Sequence, residues 1–257
     1  MYTQLQLREI FHLEFLRYLG ADMPPRFWAL KGGVNLRLFF RSVRYSEDMD
    51  LDVEGLPVDS VRKRVLRILT SPSFRENLRT YGITGVTPPD MAAARQTSVT
   101  QRFKVHILTA DGGDYFTKVE FSRRGFSGEA VAESVPASVL RPYAMAPLLV
   151  RHYPAGAAAA QKIGAVLSRS TPQARDIFDL YLLSSQVRPG EARLPLPEGG
   201  LARVRENLLA AGFESFRDAV AEYLSPADRA VYSAPEAWDE VKLKASAFVE
   251  ELYAANG

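Results

Sequence analysis

Three aspartates stand on alternate positions of one short stretch, Asp48-Met49-Asp50-Leu51-Asp52-Val53. Alternate residues of a β-strand share a face, so the carboxylates would lie on one side and the apolar side chains would face a core. Aspartate is disfavoured in strands, and carboxylates about 7 Å apart on one face repel each other unless a cation lies between them. Mg²⁺ is commonly bound by one or two carboxylates together with substrate phosphates. The pattern therefore predicts either a metal-binding strand or a solvated acidic face.

A glycine pair, Gly32-Gly33, precedes this strand by one short segment. The apolar run 27–30 before the pair predicts a buried strand, and residues 34–40 after it are compatible with a helix. Glycine at a strand-to-helix turn lets backbone N–H groups approach a phosphate near a helix N-terminus. With the hydroxyl of Ser46, the pair predicts a binding site for the phosphates of a nucleoside triphosphate (NTP), beside a metal held by Asp48 and Asp50.

Two blocks of residues resemble those of a known family. Lys31-Gly32-Gly33 and the stretch RYSEDMDL at 44–51 are similar to the first motif of the AbiEii/AbiGii-type nucleotidyltransferase toxins. That family belongs to the polymerase-beta-like nucleotidyltransferase superfamily and includes the MenT toxins. Lys162, Arg169 and the stretch RDIFDLY at 175–181 resemble its later lysine and RDxxDLY motifs. The resemblance implies an α/β fold with a mixed sheet flanked by helices, followed by a mostly helical C-terminal lobe.

The resemblance also implies an activity. It is transfer of a nucleoside monophosphate from an NTP to the 3′ end of tRNA, with Mg²⁺ or Mn²⁺ as cofactor. Such an enzyme would be the toxin of a type IV-like toxin–antitoxin pair that blocks translation, countered by an antitoxin that is often a winged-helix protein. Two other functions fit the same residues: a small-molecule nucleotidyltransferase that modifies an antibiotic, and a nucleotide-binding regulatory module without turnover.

A third acidic ligand would complete a site for two metal ions roughly 3.5 to 4 Å apart. Residues 97–109 and 115–122 predict two strands joined by a hairpin turn at 110–114. Glu120, on the second of these strands, matches the position from which the resembled family takes its third carboxylate. Asp52 is the competing ligand on the first acidic strand. Glu120 is preferred because it would approach the metal from a second strand.

The later block lies on two predicted helices, at 155–168 and 173–184. Asp176 and Asp179 are three residues apart on one helix face, so both can meet Lys162 from the preceding helix. A salt-bridge cluster that joins two helices explains much of this pattern. The resemblance implies a functional role for Lys162, which would offset the charge of the triphosphate, and for Asp176, while Asp179 is interpreted as structural.

Basic residues occur in two further places. Residues 57–80 predict a helix whose exposed Arg62, Lys63 and Arg67 would either contact RNA phosphates or form a solvated face. Arg37, Arg41 and Arg44 recur at helical or near-helical spacing after the glycine pair, and would contact phosphates or solvent.

Composition limits the class of protein. With 257 residues, 47% of them hydrophobic, the chain can bury a core in two lobes, predicted at 1–153 and 154–257. The formal net charge of +2 excludes a polycation, and the absence of cysteine excludes metal sites built from thiolates. No apolar run approaches the ~20 residues of a membrane span, so a cytoplasmic location is expected. Segment 123–141 is predicted to be an irregular connection or a lid, and 145–150 a short strand.

Overall fold

The computed structural model describes residues 2–91 and 94–255 of the chain. Its strands are β1 (Trp28–Lys31), β2 (Asp48–Val53), β3 (Ile83–Thr87), β4 (Thr100–Thr109), β5 (Asp114–Ser122), β6 (Val131–Ser134) and β7 (Leu149–His152). Its α-helices are α1 (Gln4–Asp22), α2 (Gly32–Phe39), α3 (Val58–Thr70), α4 (Pro72–Arg79), α5 (Ala137–Leu140), α6 (Ala155–Ser168), α7 (Ala174–Leu183), α8 (Gly200–Ala210), α9 (Phe213–Ala219), α10 (Pro226–Val231) and α11 (Pro235–Ala254). The predicted α/β class is confirmed. Within the described residues, no helix is both long and apolar enough to cross a membrane.

The chain divides into two compact units. The first comprises Met1–Phe39 and Tyr45–Tyr153, and the second comprises Phe40–Arg44 and Pro154–Gly257. The short segment Phe40–Arg44 therefore belongs to the second unit although it lies within the sequence of the first. Sequence patterns do not predict that this segment belongs to the second unit.

All seven strands form one mixed sheet in the first unit, in the order β3-β4-β5-β2-β1-β7-β6. The acidic strand β2 lies in the interior of the sheet, antiparallel to β1 and parallel to β5. Met49, Leu51 and Val53 are buried in the apolar core, as strand alternation predicts. The carboxylates of β2 consequently face the opposite side of the sheet, between the side chains of β1 and β5.

Helix α1 covers part of the sheet. It begins with a capping box, in which the Gln6 N–H donates to Thr3 Oγ1 (3.3 Å) and the Thr3 N–H donates to Gln6 Oε1 (2.9 Å). Ile10, Phe11 and Phe15 are fully buried in the same core as the apolar face of the sheet. A helix is present over the predicted residues 5–19, with Gln4 added at its N-terminal end and three residues at its C-terminal end. The predicted amphipathic character is not observed, because Glu9, His12 and Glu14 are buried as well as the apolar side chains.

Other boundaries differ from the prediction. The single helix expected at 57–80 is two helices, because Pro72 lacks the N–H that would continue α3 and instead starts α4. Segment 123–141, expected to be irregular, contains β6 and α5. The last strand lies at Leu149–His152 rather than at 145–150. Strand β3 had no predicted counterpart.

The second unit is helical, as the composition after residue 154 predicts. Its core includes a group of aromatic rings, in which the ring centroids of Phe178 on α7 and Phe216 on α9 lie 5.9 Å apart. The Phe216 ring stacks on Trp238 of α11 at 4.8 Å between centroids. These contacts join three helices that are far apart in the sequence.

Candidate active site

The carboxylates of Asp48 and Asp50 project from β2 beside the basic side chains of Lys118 and Lys31. In the parallel register of β2 and β5, Asp48 pairs with Lys118 and Asp50 pairs with Glu120. The Lys118 ammonium lies 2.8 Å from Asp48 Oδ2 and 3.8 Å from Glu120 Oε2. Lys118 therefore offsets part of the repulsion between these carboxylates.

A row of charged residues crosses four strands at the level of Asp50. Lys31 of β1 is opposite Asp50, Glu120 of β5 is on its other side, and Arg102 of β4 is opposite Glu120. The Arg102 guanidinium donates to Glu120 Oε2 at 2.7 Å. Loss of hydration, followed by repulsion from Glu120, raises the pKa of Asp50, although Lys31 acts in the opposite direction. Asp50 is thus a carboxylate that a cation would stabilise in its charged form.

The first glycine of the predicted pair makes room for this carboxylate. Gly32 has φ +70°, a backbone conformation that favours glycine, at the point where β1 passes into α2. A Cβ atom at Gly32 would lie 2.7 Å from Asp50 Oδ2. Gly33 is a buried residue within the first turn of α2. The glycine that the tertiary structure requires is therefore Gly32.

Ser46 lies in the connection that leads into β2. Its hydroxyl donates to the backbone carbonyl of Asp48 at 2.8 Å. The hydroxyl proton is thus used to fix the start of the acidic strand, while the oxygen keeps lone pairs that can accept a hydrogen bond.

The donor set fits a divalent cation. Asp48 Oδ1 is buried and, among the described residues, has no hydrogen-bond partner, and a buried carboxylate oxygen without a partner is costly. A cation bound by Asp48 and Asp50 would satisfy that oxygen and offset the repulsion at Asp50. No group of three or more metal-ligating side chains converges in the described part of the chain. The arrangement therefore fits two protein carboxylates with substrate phosphates as further ligands, and Glu120 would join them by releasing Arg102.

Asp52, the alternative third ligand, is engaged elsewhere. Its side chain is buried, with Oδ1 2.5 Å from the Lys31 ammonium. Its Oδ2 accepts hydrogen bonds from the Tyr153 hydroxyl (2.6 Å) and the Ser127 hydroxyl (3.2 Å). Burial, followed by the hydrogen bond with Asp52, raises the pKa of Tyr153 to about 12. Asp52 thus holds the Lys31 ammonium in place from the same face of β2 that carries Asp50.

The second unit contains a separate ion-pair cluster formed by Arg44, Lys162, Arg169, Asp176 and Asp179. The Lys162 ammonium lies 2.8 Å from Asp176 Oδ1 and 2.6 Å from Asp179 Oδ2. Arg44 binds Asp179 through two guanidinium nitrogens, with the shortest contact at 2.9 Å, and Arg169 pairs with Asp176. The helix pairing predicted for Lys162, Asp176 and Asp179 is present, with two arginines added.

Electrostatics in the ion-pair cluster favours the charged forms. Burial acts to lower the pKa of Lys162, but Asp176 and Asp179 outweigh it and raise this pKa. Burial acts to raise the pKa of Asp176, yet Lys162 and then Arg169 lower it overall. Three cations face two carboxylates here, so the cluster carries a surplus positive charge.

Comparisons with known proteins agree with this geometry. The profile of the family described as "Nucleotidyl transferase AbiEii toxin, Type IV TA system" matches residues 16–242. The chain belongs to the AbiEii nucleotidyltransferase toxin family. The family resemblance read from the two motif blocks is thereby confirmed. Members of this family take an NTP and a divalent metal, and a type IV toxin–antitoxin system implies an antitoxin partner.

Solved structures share the fold of this AbiEii-family chain at low sequence identity. MenT4, a nucleotidyltransferase toxin from Mycobacterium tuberculosis H37Rv, has a TM-score of 0.60 at 18% identity over 98% of this chain and 88% of its own. JHP933 from Helicobacter pylori has a TM-score of 0.55 at 18% identity over 99% and 95% of the two chains. A further H. pylori protein has a TM-score of 0.62 at 17% identity over 99% and 98%. No curated protein matches the chain in sequence.

The basic residues predicted to contact RNA are distributed unevenly in this AbiEii-family fold. On α3, Arg62 pairs with Asp59 and Arg67 pairs with Asp22, whereas Lys63 is exposed. Helix α2 ends at Phe39, so Arg41 and Arg44 lie beyond it and do not share a helix face with Arg37. Arg37 remains on α2, where it binds Glu9 at 2.6 Å.

Several residues of the AbiEii-family site were missed by sequence reasoning. Lys31, Lys118 and Arg102 come next to the carboxylates through strand pairing. Lys118 is two residues from Glu120 on β5 and so shares its face, but nothing local in the sequence indicates its contact with Asp48. Arg44, predicted to contact phosphates or solvent, instead binds Asp179, which is 135 positions away.

Proposed function

We propose that this AbiEii-family protein transfers a nucleoside monophosphate from an NTP to the 3′ end of tRNA in a Mg²⁺-dependent reaction, and that a cognate antitoxin, of winged-helix type, counteracts it. The observation that carries the proposal is the pair Asp48 and Asp50, which lies against Gly32 and includes a buried carboxylate oxygen without a partner. The choice of tRNA rests on the motif resemblance.

In this proposal, each residue has a defined task. Asp48 and Asp50 hold Mg²⁺, and Glu120 completes the metal site; the bound metal would lower the pKa of the attacking hydroxyl and offset charge on the triphosphate. The backbone at Gly32 and Gly33, at the start of α2, and the Ser46 hydroxyl bind the β- and γ-phosphates. Lys31 and Lys118 keep the carboxylates from repelling one another before substrate binds.

The proposal also covers the ion-pair cluster of the second unit. Lys162 offsets charge on the triphosphate, and Asp176 orients the Lys162 ammonium through its 2.8 Å contact. The surplus positive charge of the cluster supports this assignment. Arg62, Lys63 and Arg67 on α3 are proposed to contribute RNA phosphate contacts, with Lys63 the most available of the three.

The decisive experiment incubates the purified protein with Mg²⁺, total RNA and each α-labelled NTP in turn, followed by a denaturing gel. We expect one nucleotide to label a tRNA-sized band. Asp48→Asn should lower labelling by about 10²-fold or more, because it removes a metal-binding charge at constant side-chain volume. The matched control is Asp114→Asn, which changes an exposed aspartate on β5.

Two outcomes would overturn parts of the proposal. Labelling by a folded Asp48→Asn protein at the level of the Asp114→Asn control would reject the assigned metal site. Pyrophosphate release without labelled RNA, but with a labelled small hydroxyl compound, would replace tRNA by a small-molecule acceptor. Absence of pyrophosphate release with every acceptor would favour a nucleotide-binding module.

A further inference from the structure

A cavity of about 660 Å³ lies in the second unit, and neither the metal site nor the ion-pair cluster uses it. It is bounded by Arg41, by the C-terminal half of α7 and the turn after it, and by Tyr232 and Lys244. Its volume falls within the range of about 300 to 1,000 Å³ typical of small-ligand sites. All of its lining residues belong to the second unit.

The charges around the cavity select an anion. Arg41 and Lys244 are exposed, and no ion pair joins either to a carboxylate within the described part of the chain. No aspartate or glutamate lines the cavity. Asp228 lies near Tyr232, but its carboxylate accepts a 2.6 Å hydrogen bond from Ser225. Two cations without carboxylate partners at one opening are suited to a phosphate group.

Two tyrosine rings form part of the cavity wall. Tyr181 and Tyr232 are partly exposed, with ring centroids 6.3 Å apart and planes nearly perpendicular. The Lys244 ammonium lies 5.8 Å from the Tyr181 centroid, so a cation and an aromatic face are presented together. Aromatic faces beside basic side chains are the combination with which proteins bind single-stranded nucleic acid, because every base can stack.

Polar groups at the rim of the cavity can form hydrogen bonds with the edge of a base. The Ser184 hydroxyl donates to the Tyr181 carbonyl at 2.7 Å, and the Gln186 amide donates to the Phe40 carbonyl at 2.6 Å. In both side chains an oxygen remains that can accept a hydrogen bond from an amino group of a base.

Arg41 is held at the cavity by a strained backbone. Its φ is +53°, and it is one of two non-glycine residues with positive φ in the described ranges. The hydrogen bond from Gln186 to Phe40 and the ion pair of Arg44 with Asp179 fix the segment on both sides of Arg41. Such strain persists where the surrounding structure determines it, and it is common at ligand-binding positions.

We infer that this cavity binds one unpaired nucleotide of an RNA strand, with the phosphate between Arg41 and Lys244 and the base against Tyr181 and Tyr232. The inference rests on the proposed function in one respect, namely that RNA is the acceptor. It adds a binding site in the second unit, at residues outside the resembled phosphate and metal motifs except for Tyr181.

The test measures binding without turnover. A short unstructured RNA strand labelled with fluorescein is titrated with the full chain in EDTA, and anisotropy gives Kd at several salt concentrations. The double variant Arg41→Asn/Lys244→Gln removes both charges, and asparagine tolerates the positive φ at position 41. Each lost phosphate contact should reduce the slope of log Kd against log salt by about 0.7. Arg193→Asn, at an exposed arginine of the same unit outside the cavity, is the matched control.

A second variant tests the base contact. Tyr181→Leu should weaken binding by about fivefold or more at every salt concentration, whereas Tyr181→Phe, which keeps the ring, should bind within about twofold of the unsubstituted protein. Thermal melts of each variant show that the second unit is folded, and the charge variants stay informative if Tyr181→Leu unfolds.

Several results would overturn the inference. A double variant that binds like Arg193→Asn would exclude the phosphate contact, and a folded Tyr181→Leu protein with unchanged Kd would exclude the base contact. Displacement of the strand by equimolar NTP would assign the cavity to free nucleotide. Asp48→Asn should bind the strand normally, so failure of the proposed transfer reaction would be seen separately from failure of this binding site.

Discussion

Gly32→Ala is expected to abolish most nucleotidyl transfer at a modest loss of stability. The residue has φ +70°, and an added Cβ would lie 2.7 Å from Asp50 Oδ2 and 3.3 Å from Asp50 Cβ. Real Cβ atoms do not approach an oxygen so closely, so the Asp50 side chain must move. Since Asp50 is a proposed metal ligand, the movement acts directly on the site.

The substitution should affect stability and activity to different extents. A left-handed conformation costs a non-glycine residue about 1–2 kcal/mol. For a chain of this length, that corresponds to a fall in Tm of roughly 2–8 °C. A displacement of a reacting or metal-binding group by about 1 Å can cost on the order of 10²-fold in rate. Activity should therefore fall much further than the folded population.

A second glycine provides the matched control. Gly82 has φ +87°, and an added Cβ there would have no heavy atom within 4 Å. Gly82→Ala should therefore show a similar fall in Tm through the same backbone strain, while the site is untouched. The assays are thermal unfolding by circular dichroism and transfer of an α-labelled NTP to RNA, each measured on both variants.

The reasoning is refuted if Gly32→Ala, folded at the assay temperature, transfers nucleotide at a rate close to that of Gly82→Ala. It is also refuted if Gly82→Ala loses activity as severely as Gly32→Ala, because backbone strain alone would then explain both losses. Calorimetric titration with Mg²⁺ and NTP shows whether the loss lies in metal and substrate binding.

Four further predictions concern the charged groups. The pKa of Asp50 is raised, so the folded state binds the carboxyl proton of Asp50 more tightly than the unfolded chain does, and stability falls as pH rises above 3.8. Asp50→Asn should therefore raise Tm at neutral pH in EDTA. An unchanged or lower Tm would contradict this expectation. Lys162→Met should lower the free energy of unfolding in urea by about 3 kcal/mol, because it leaves Asp176 and Asp179 as buried carboxylates with fewer partners. The lowered pKa of Asp176 makes its contribution present above 3.8 and lost as pH falls through its lower folded value; Asp176→Asn should thus cost stability at neutral pH, and the difference from the unsubstituted protein should shrink in acid. Asp52→Asn should lower Tm because it unpairs Lys31, yet it should keep Mn²⁺ binding, measured by electron paramagnetic resonance. Glu120→Gln should instead weaken Mn²⁺ binding. Equal effects of both variants on Mn²⁺ binding would reject the distinction between these carboxylates.

Local patterns predicted the parts of this molecule that depend on chain neighbours. Alternation in β2 separates the carboxylates of Asp48 and Asp50 from the buried Met49 and Leu51, because side chains of a strand alternate between faces. The same rule put Glu120 on one face of β5. Residue type and spacing also identified Lys162 and Asp176 as helix partners, since both lie on short helices close in sequence.

Segment boundaries were less certain for a physical reason. The helical periodicity of residues 57–80 continues through Pro72, and only the missing N–H of proline divides it into α3 and α4. The strands β3 and β6 were missed because edge strands are stabilised by pairing with a neighbour as much as by their own composition.

The family, the acidic strand and the glycine turn were determined by the sequence alone, because each is a property of residues adjacent in the chain. Tertiary structure decided which side chains meet them. Pairing of β1, β2, β5 and β4 brings Lys31, Lys118 and Arg102 to the carboxylates, and the Tyr153 hydroxyl engages Asp52. Strand register and the route of Phe40–Arg44 into the second unit depend on contacts between residues far apart in the sequence, which no local pattern encodes.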